Sequence, residues 1–472
     1  MSVRFSNTLS NRKEEFVALE PPKVRLYTCG PTVWNYAHVG NLRGNLFYDL
    51  LKRHLEFSGY EVMHVMNITD IDDRILHEAY HAEQTIQEYT RGYERAFFED
   101  VKTLRFRPAT VYPRATEHVG DIVRLIQGLI ASGHAYEVDG DVYYRVDSFP
   151  TYGRLAHLDR AGLKPGARVA TDKYEKESAT DFALWKRAAP GDAALGAAWD
   201  SPFGTGRPGW HIECSAMSMR YLGETLDVHA GGVDLMFPHH ENEIAQSEGF
   251  TGKPFSRFWL HNDHLSDATG EKMSKSLGNI STLRDLLAEG FDPLSIRFFL
   301  IAGAHYRTRL RLDAEALHAA GEQVRRLQDF NDRVRRTVPS PGADDAAFVE
   351  QVEAARRAYR EALDDDLNLP QGLGILFDVV RDANAQLDRG AVGPAGIAAL
   401  KALLNDADAH LDVLTPTDAV LDAEVEEQIA ARESARRGRD FATADRIRDE
   451  LRKRGIQLED TAQGVRWRRI RA

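Results

Sequence analysis

The sequence predicts an α/β protein that is built on a Rossmann-like parallel sheet. Three observations support this prediction: an apolar run over 24–29 that ends in Gly-Pro, a helical apolar pattern over 41–60, and a second strand-like run over 61–66. A strand, a helix and a strand in this order form a βαβ unit, whose strands pair in parallel. Because ligands bind at the carboxyl ends of such strands, the loop over 29–40 is expected to carry functional residues.

Changes in composition, turn content and periodicity along the 472 residues predict five segments. The parallel-sheet domain takes 1–112, a turn-rich inserted connective domain takes 113–209, and the sheet domain resumes over 210–311. Residues 312–415 are rich in Ala, Arg, Leu and Asp with helical periodicity, which predicts a helical bundle. The last segment, 416–472, is predicted to be a small C-terminal domain that contains a helical hairpin and a strand-like ending.

Composition argues against several classes of protein. The chain carries 60 basic and 72 acidic residues, a net charge of −12, which is not expected of a uniformly basic nucleic-acid-binding protein. The segment 431–472 differs, with 13 Lys or Arg against 7 Asp or Glu, so any RNA contact is expected to be local. No apolar run approaches the ~18 residues of a membrane span, and the first residues lack a signal or transit pattern. We therefore expect a cytoplasmic protein without a membrane partner.

The chain has only two cysteines, Cys29 and Cys214. A disulfide is disfavoured because the cytosol keeps thiols reduced, which leaves two buried inert thiols or two metal ligands. Cys214 ends the run GWHIEC, and the run FPHHENE holds His239 and Glu243 four positions apart, on one face of a helix if one begins after the proline. Two thiolates, an imidazole and a carboxylate make a plausible zinc site, although the charged residues of the second run can also be surface charges.

A histidine and a glycine stand where the loop after the first strand enters the helix. Backbone N–H groups and the helix dipole stabilise a phosphate at such a position, His38 can add a hydrogen bond, and Gly40 leaves room for a flat base. His38 can equally be a simple helix cap. Far downstream, Lys272 and Lys275 lie on a loop with a glycine at each end. Such lysines can neutralise charge as pyrophosphate leaves a triphosphate, or they can form a solvated basic turn.

In order and context, these two segments resemble the HIGH and KMSKS signatures of class I aminoacyl-tRNA synthetases. With NITDIDD at 67–73, the two metal-ligand runs are similar to those of cysteinyl-tRNA synthetases. The resemblance implies activation of L-cysteine with ATP and Mg²⁺, and transfer of cysteine to tRNA(Cys). It implies that His38 and the two lysines are catalytic, within an ATP site formed by His38, Gly40, Asn41, Lys272 and Lys275. Asn41 replaces the usual second histidine of HIGH, and it can donate a hydrogen bond but cannot carry a positive charge.

The resemblance also implies how the amino acid is selected. One Zn²⁺ per chain would bind the substrate sulfur, since a soft thiolate is a better zinc ligand than a hydroxyl. The implied zinc ligands are Cys29, Cys214, His239 and Glu243. Selection by a metal predicts that the inserted domain has no editing site. The implied amino-acid pocket contains Thr69, Trp210, His229 and Asp234, with Asp234 facing the α-ammonium group.

The end of the chain is similar to an anticodon-binding module. Arg466, Trp467, Arg468 and Arg469 combine a stacking surface with positive charge, as suits unpaired bases, although a basic helix end with a core tryptophan is an open alternative. A monomer is expected. Two other functions also stay open. One is a ligase that passes cysteine to a small amine, as in mycothiol biosynthesis, and the other is a catalytically silent RNA-binding paralogue, which Asn41 suggests.

Overall fold

The computed structural model describes most of the chain. The described residues are 2–158, 180–267, 281–341, 345–415, 419–438, 440–453, 456–461 and 464–469. Lys272 and Lys275 lie outside the described residues. The chain divides into two compact units, residues 1–412 and residues 413–472. Across the described part of the chain, every helix is too short or too polar to cross a membrane.

The elements of the first unit form a sheet domain, an antiparallel sheet and a helical bundle. The chain starts with β1 (Arg4–Asn7), β2 (Arg12–Glu15), β3 (Lys23–Thr28), α1 (Val39–Phe57), β4 (Glu61–Met66), α2 (Asp73–His81), α3 (Ile86–Thr103) and α4 (Val119–Ala131). The antiparallel sheet consists of β5 (Ala135–Val138), β6 (Asp141–Tyr144), β7 (Phe182–Arg187) and β8 (Gly206–Pro208). The next elements are α5 (Trp210–Leu222), β9 (Leu226–Gly232), α6 (Glu241–Thr251), β10 (Ser256–Asn262), β11 (Leu265–Ser266), α7 (Leu283–Ala288), α8 (Pro293–Ala302) and β12 (Leu310–Arg311). The bundle consists of α9 (Ala314–Arg336), α10 (Ala346–Asp364), α11 (Leu369–Asp388) and α12 (Pro394–Leu411).

A parallel sheet with the strand order β10-β9-β3-β4 forms the centre of the first unit. The predicted βαβ unit is β3, α1 and β4, in which Lys23 pairs with Glu61 and Thr28 with Met66. The α/β fold class is thus confirmed. Strand β3 ends one residue earlier than predicted, so Cys29 is the first residue beyond the strand. It therefore lies at the carboxyl edge of the sheet, where ligands of such folds bind.

The sequence between β4 and β9 carries the antiparallel sheet, with the strand order β5-β6-β7-β8. This sheet interrupts the parallel one in sequence, as an inserted domain does. In the bundle, α10 packs on both α11 and α12 through a buried face that includes Val352, Tyr359 and Leu363. Helices α11 and α12 each have a proline in the first turn, where a missing N–H costs no helical hydrogen bond.

Buried charges fix the position of α1, the helix that follows the predicted nucleotide loop. Asp49 accepts a hydrogen bond of 2.6 Å from the fully buried Arg297 of α8, and Arg297 also donates to the carbonyl oxygens of Leu104 and Leu411. Near the start of the helix, Arg43 donates to carbonyl oxygens that follow β10. Since a buried charge is costly without such partners, these contacts hold α1 in one position against the sheet.

The second unit is small. It consists of α13 (Ala419–Arg437), α14 (Phe441–Lys453), β13 (Ile456–Thr461) and β14 (Gly464–Arg469), and the two strands pair antiparallel. Ile429, Leu451 and Ile456 form its core. The backbone of residues 466–469 lies in β14, so this basic segment is part of a strand and the alternative of a helix end is wrong.

Candidate active site and metal centre

Four side chains with metal-ligand chemistry meet at the carboxyl edge of the parallel sheet. Cys29 follows β3 and Cys214 lies in α5, whereas His239 lies in the turn just before α6 and Glu243 in the first turn of α6. One ligand atom from each of the four lies within 4.8 Å of the other three. All four residues are buried. The structure therefore brings together the four residues nominated as zinc ligands, although Cys29 is 185 residues from Cys214 in the sequence.

A second group of ligand atoms overlaps the first. Cys29, His229, His240 and Glu243 also have ligand atoms within 4.8 Å of one another. His240 Nε2 lies 3.3 Å from Cys29 Sγ, and His229 Nε2 lies 2.9 Å from Glu243 Oε2. His229 was predicted for the amino-acid pocket, whereas His240 was not a predicted site residue. The adjacent histidines of FPHHENE were the available signal, but the sequence did not show that both point inward.

Local backbone geometry places the two histidines of this run. The chain makes one wide turn over Met236–His240 before α6 begins at Glu241, so the regular helix starts later than expected. His239 Nε2 still lies 3.1 Å from Glu243 Oε1, about one helical turn away. Gly231 of β9 makes room for the second ring, because a Cβ atom at 231 would lie 2.4 Å from Cε1 of His240.

The ionisable groups of the cluster shift one another's pKa values. Burial raises the pKa of Cys29 well above its usual range, whereas a hydrogen bond with Cys29 lowers the pKa of Cys214 to about 6. Burial alone would raise the pKa of Glu243, but the charges of His229 and His239 outweigh burial and lower it to about 2. Burial would likewise lower the pKa of His239, but Glu243 and Cys214 raise it to about 10. Once His239 has lost its proton, two sulfur atoms, an imidazole nitrogen and a carboxylate oxygen make a set of soft and borderline donors that fits Zn²⁺.

Aromatic rings enclose the histidines of the cluster. Trp210 is 40% exposed and stacks on His239, with ring centroids 4.3 Å apart. Trp259 is buried and stacks on His229 at 4.5 Å, with the two planes 17° apart. His229 Nδ1 is buried and has no hydrogen-bond partner among the described residues, although its Nε2 binds Glu243. The site thus contains a polar atom whose hydrogen bond a ligand can supply.

The other predicted pocket residues lie in two different environments. Thr69 is buried, accepts a hydrogen bond of 3.0 Å from Asn67 Nδ2, and donates over 3.4 Å to Glu213 Oε2. Asp234 is half exposed and lies 3.9 Å from His264 Nδ1. Glu213 was not a predicted site residue. Burial raises the pKa of its carboxyl group well above the usual range, and its position beside Cys214 in GWHIEC was the only sequence signal.

The beginning of α1 is the other predicted part of the site. His38 caps the helix: its Nδ1 accepts a hydrogen bond of 3.2 Å from the Asn41 backbone N–H, and Asn41 Oδ1 accepts one of 3.3 Å from the His38 N–H. The sequence left open whether His38 caps the helix, and the structure shows that it does. Because Nδ1 is the acceptor, the neutral ring carries its proton on Nε2, which is able to donate to a phosphate. Capping and phosphate binding are therefore compatible roles.

Close contacts also surround this helix start. A Cβ atom at Gly40 would lie 2.9 Å from His38 Nδ1, so any larger residue would displace the ring. The described chain resumes at Ser281 after the Lys272 and Lys275 segment, and the Ser281 carbonyl oxygen accepts a hydrogen bond of 2.9 Å from the Val39 N–H. Ser281, the first described residue after these lysines in the sequence, is thus hydrogen-bonded to the first residue of α1.

The fold and the family models define a class of protein. Residues 15–322 match the class I (C) tRNA synthetase catalytic domain, residues 358–415 the DALR domain, and residues 418–468 the cysteinyl-tRNA ligase anticodon binding domain. Methionyl-tRNA synthetase of Mycobacterium tuberculosis, solved with methionyl-adenylate, aligns with a TM-score of 0.57 at 15% identity, over 83% of this chain and 90% of that one. The LeuRS of Agrobacterium radiobacter, in a ternary complex with tRNA, aligns with a TM-score of 0.61 at 11% identity, over 84% and 85%. The fold is that of a class I aminoacyl-tRNA synthetase.

Closer relatives give the particular family. The cysteine–tRNA ligase of Solibacter usitatus is 49% identical over 99% of this chain and 100% of its own length. Those of Symbiobacterium thermophilum and Anoxybacillus flavithermus are 46% and 44% identical over the same shares. This chain belongs to the cysteine–tRNA ligase family, which confirms the resemblance seen in the sequence.

Proposed function

We propose that this chain activates L-cysteine with ATP and Mg²⁺, and then transfers the cysteinyl group to tRNA(Cys). The observation that carries this proposal is the buried cluster of two cysteines, a histidine and a glutamate at the carboxyl edge of the sheet. The loop 29–40 begins at this cluster and ends at the capped start of α1. One loop thus connects the residues proposed to select a thiol with the residues proposed to bind a phosphate.

In this proposal Cys29, Cys214, His239 and Glu243 hold one Zn²⁺ per chain. When bound, the ion offers a soft acceptor for the thiolate of cysteine, which the hydroxyl of serine matches poorly. The surrounding residues prepare the site: His229 holds Glu243 in its ionised form, and the stacked tryptophan rings restrict the positions of the histidines.

The amino-acid pocket is proposed to consist of Thr69, Trp210, His229 and Asp234. The half-exposed carboxylate of Asp234 is suited to the α-ammonium group, because it would pair two opposite charges without burying an uncompensated one. The exposed ring of Trp210 provides an apolar wall on the solvent side of His239. Selection by thiol chemistry makes a separate editing site unnecessary in the inserted domain.

Adenylate formation requires little more than positioning and charge neutralisation. The carboxylate of cysteine attacks the α-phosphorus of ATP and pyrophosphate leaves; no base is needed, because the carboxylate is already ionised near neutral pH. His38 would donate its Nε2 proton to a phosphate oxygen, beside Gly40 and Asn41 at the positive end of α1. Lys272 and Lys275 would neutralise the charge of the departing pyrophosphate.

We propose tRNA as the acceptor because the second unit matches a cysteinyl-tRNA ligase anticodon binding domain over residues 418–468. A ligase for a small amine has no evident use for such a domain. Arg466, Trp467, Arg468 and Arg469 are the proposed RNA contacts on β14. The protein is further proposed to act as a cytoplasmic monomer.

Two assays, applied to the intact protein and to one truncated chain, test this function. The intact protein should catalyse cysteine-dependent ATP–pyrophosphate exchange, which a catalytically silent paralogue would not do. A chain that ends at Leu414 should keep this exchange and lose most tRNA aminoacylation, because every residue proposed for adenylation precedes it. Circular dichroism establishes first that the shortened chain is folded. Equal charging by the folded short chain and the intact protein would contradict the assignment of the second unit to tRNA binding.

A further inference from the structure

Helix α2 carries a second group of potential metal ligands, outside the active site. The sequence over 77–81 is His-Glu-Ala-Tyr-His, and the whole stretch lies within α2 (Asp73–His81). Two histidines four positions apart lie on the same face of a helix. The H-E-x-x-H spacing is one that places two imidazoles on a single zinc ion in helical metal sites.

The distances between the side chains agree with chelation of one ion. His77 Nε2 and His81 Nε2 lie 3.2 Å apart. Two nitrogens that are each ~2.0–2.1 Å from a tetrahedral zinc ion are separated by about 3.3 Å. The separation of the two nitrogens therefore matches that of two ligands of one metal ion.

The neighbouring glutamate supplies the hydrogen bond that metal-binding histidines need. Glu78 Oε1 lies 3.2 Å from His77 Nδ1, so it accepts the proton of that nitrogen and leaves Nε2 available for a metal. The side chain of His77 is 65% exposed, so an ion has direct access from solvent. Four features are therefore typical of a metal site: the imidazole ligands, the distance between their nitrogens, the hydrogen bond to the other ring nitrogen of His77, and access from solvent.

We propose that His77 and His81 form a surface site for a divalent transition-metal ion of borderline softness, such as Zn²⁺ or Ni²⁺. Within the described residues, groups of three or more ligands occur only around Cys29 and Glu243, so water completes the coordination on α2. The ion there is exchangeable. Glu78 faces His77 instead of the open side of the ion, so the site binds metal without the hydrolytic chemistry of H-E-x-x-H enzymes.

Calorimetric titration of the intact protein with Ni²⁺ tests the proposal. The wild type should bind one more Ni²⁺ per chain than either His77→Ala or His81→Ala. Glu78→Gln should keep this ion with an affinity about 10-fold lower. His318→Ala is the matched control, because it removes another exposed histidine from a helix, α9, and should leave the stoichiometry unchanged.

Ni²⁺ that binds at the buried cluster or at other surface groups contributes equally to the wild type and to each variant. The difference in stoichiometry between them therefore reports the site on α2 alone. Thermal melting establishes that each variant is folded, which is expected because both rings are on the surface. Equal Ni²⁺ stoichiometry in the wild type and in folded His77→Ala and His81→Ala would overturn the proposal, and so would an equal loss of one ion in His318→Ala.

Discussion

The cluster of predicted metal ligands and the start of α1 lie at the same edge of the parallel sheet, but they are built in opposite ways. The cluster joins Cys29, Cys214, His239 and Glu243 from three distant stretches of sequence, and all four are buried. The helix start is formed by residues 38–41 through two local hydrogen bonds of 3.2 and 3.3 Å, and Asn41 is exposed. In the first region, burial makes every charge depend on its neighbours. In the second, each residue acts through its own hydrogen bond.

This difference predicts which substrate each region serves and how strongly a substitution acts. A change in the cluster should impair recognition of the amino acid and leave ATP binding nearly intact. A change at the helix start should impair the handling of phosphate and leave the metal in place. The predictions below test this separation, from the largest expected effect to the smallest.

The largest effect is expected from Cys214→Ser and Glu243→Gln. Each should reduce bound zinc and lower cysteine-dependent pyrophosphate exchange by about 10³-fold or more. The reason is that the buried site loses a zinc ligand, and the substrate thiolate then lacks the ion that it binds. Zinc is measured by elemental analysis, and ATP affinity by equilibrium binding. Glu241→Gln is a matched control on the same helix, since Glu241 accepts hydrogen bonds from the backbone of residues 153–156. If both variants keep a full zinc content and a normal dependence on cysteine, these residues neither bind the zinc ion nor take part in cysteine recognition.

His38→Asn and His38→Ala separate capping from catalysis. Both should lower the single-turnover rate of adenylate formation by about 10²-fold, the usual effect of losing one donor to a developing charge. Only His38→Ala should also lower the melting temperature, because asparagine can cap a helix and alanine cannot. Zinc content should stay that of the wild type. If His38→Asn forms adenylate at the normal rate, His38 is a cap and nothing more.

Asn41→Asp is expected to have a smaller effect, confined to ATP. Aspartate can accept the hydrogen bond of the His38 N–H and favours the positive end of the helix, so the melting temperature should be maintained. Its negative charge would repel a nearby phosphate by ~1 kcal/mol or more, which should raise the KM for ATP about 10-fold. Steady-state exchange at varied ATP measures this. A change in the KM for cysteine of the same size would break the separation between the two regions.

The smallest effects are expected from the neutral substitutions of Asn41. Asn41→Ala removes one hydrogen bond of the capping box and should cost about 0.5–1 kcal/mol of stability, measured by denaturant unfolding. Asn41→His, which restores the usual signature, should retain activity, because a ring nitrogen can accept the same hydrogen bond. Complete loss of activity in Asn41→His would show that asparagine has another role there.

The parts of the fold that depend on local sequence were predictable. Strand β4 was expected at 61–66 and is observed there, and α1 lies within three residues of the predicted bounds at each end. The helix break predicted at 339–342 lies between α9 and α10, and the one predicted at 390–396 overlaps the gap between α11 and α12, although α12 already begins at Pro394. Apolar spacing, Pro and Gly act over a few residues, so a sequence displays them directly. The single turn at Met236–His240 was missed because nothing in the local pattern distinguishes a wide turn from a regular one.

The sequence by itself determined the class of fold and the family, and it supplied the side chains proposed to carry the chemistry. Only the tertiary structure decided which of these side chains interact. It placed His240 against Cys29, set His229 between Trp259 and Glu243, and gave His38 the tautomer that can donate from Nε2. The physical reason is range: capping and periodicity involve neighbours in the chain, whereas burial and charge pairing depend on distances that packing alone sets.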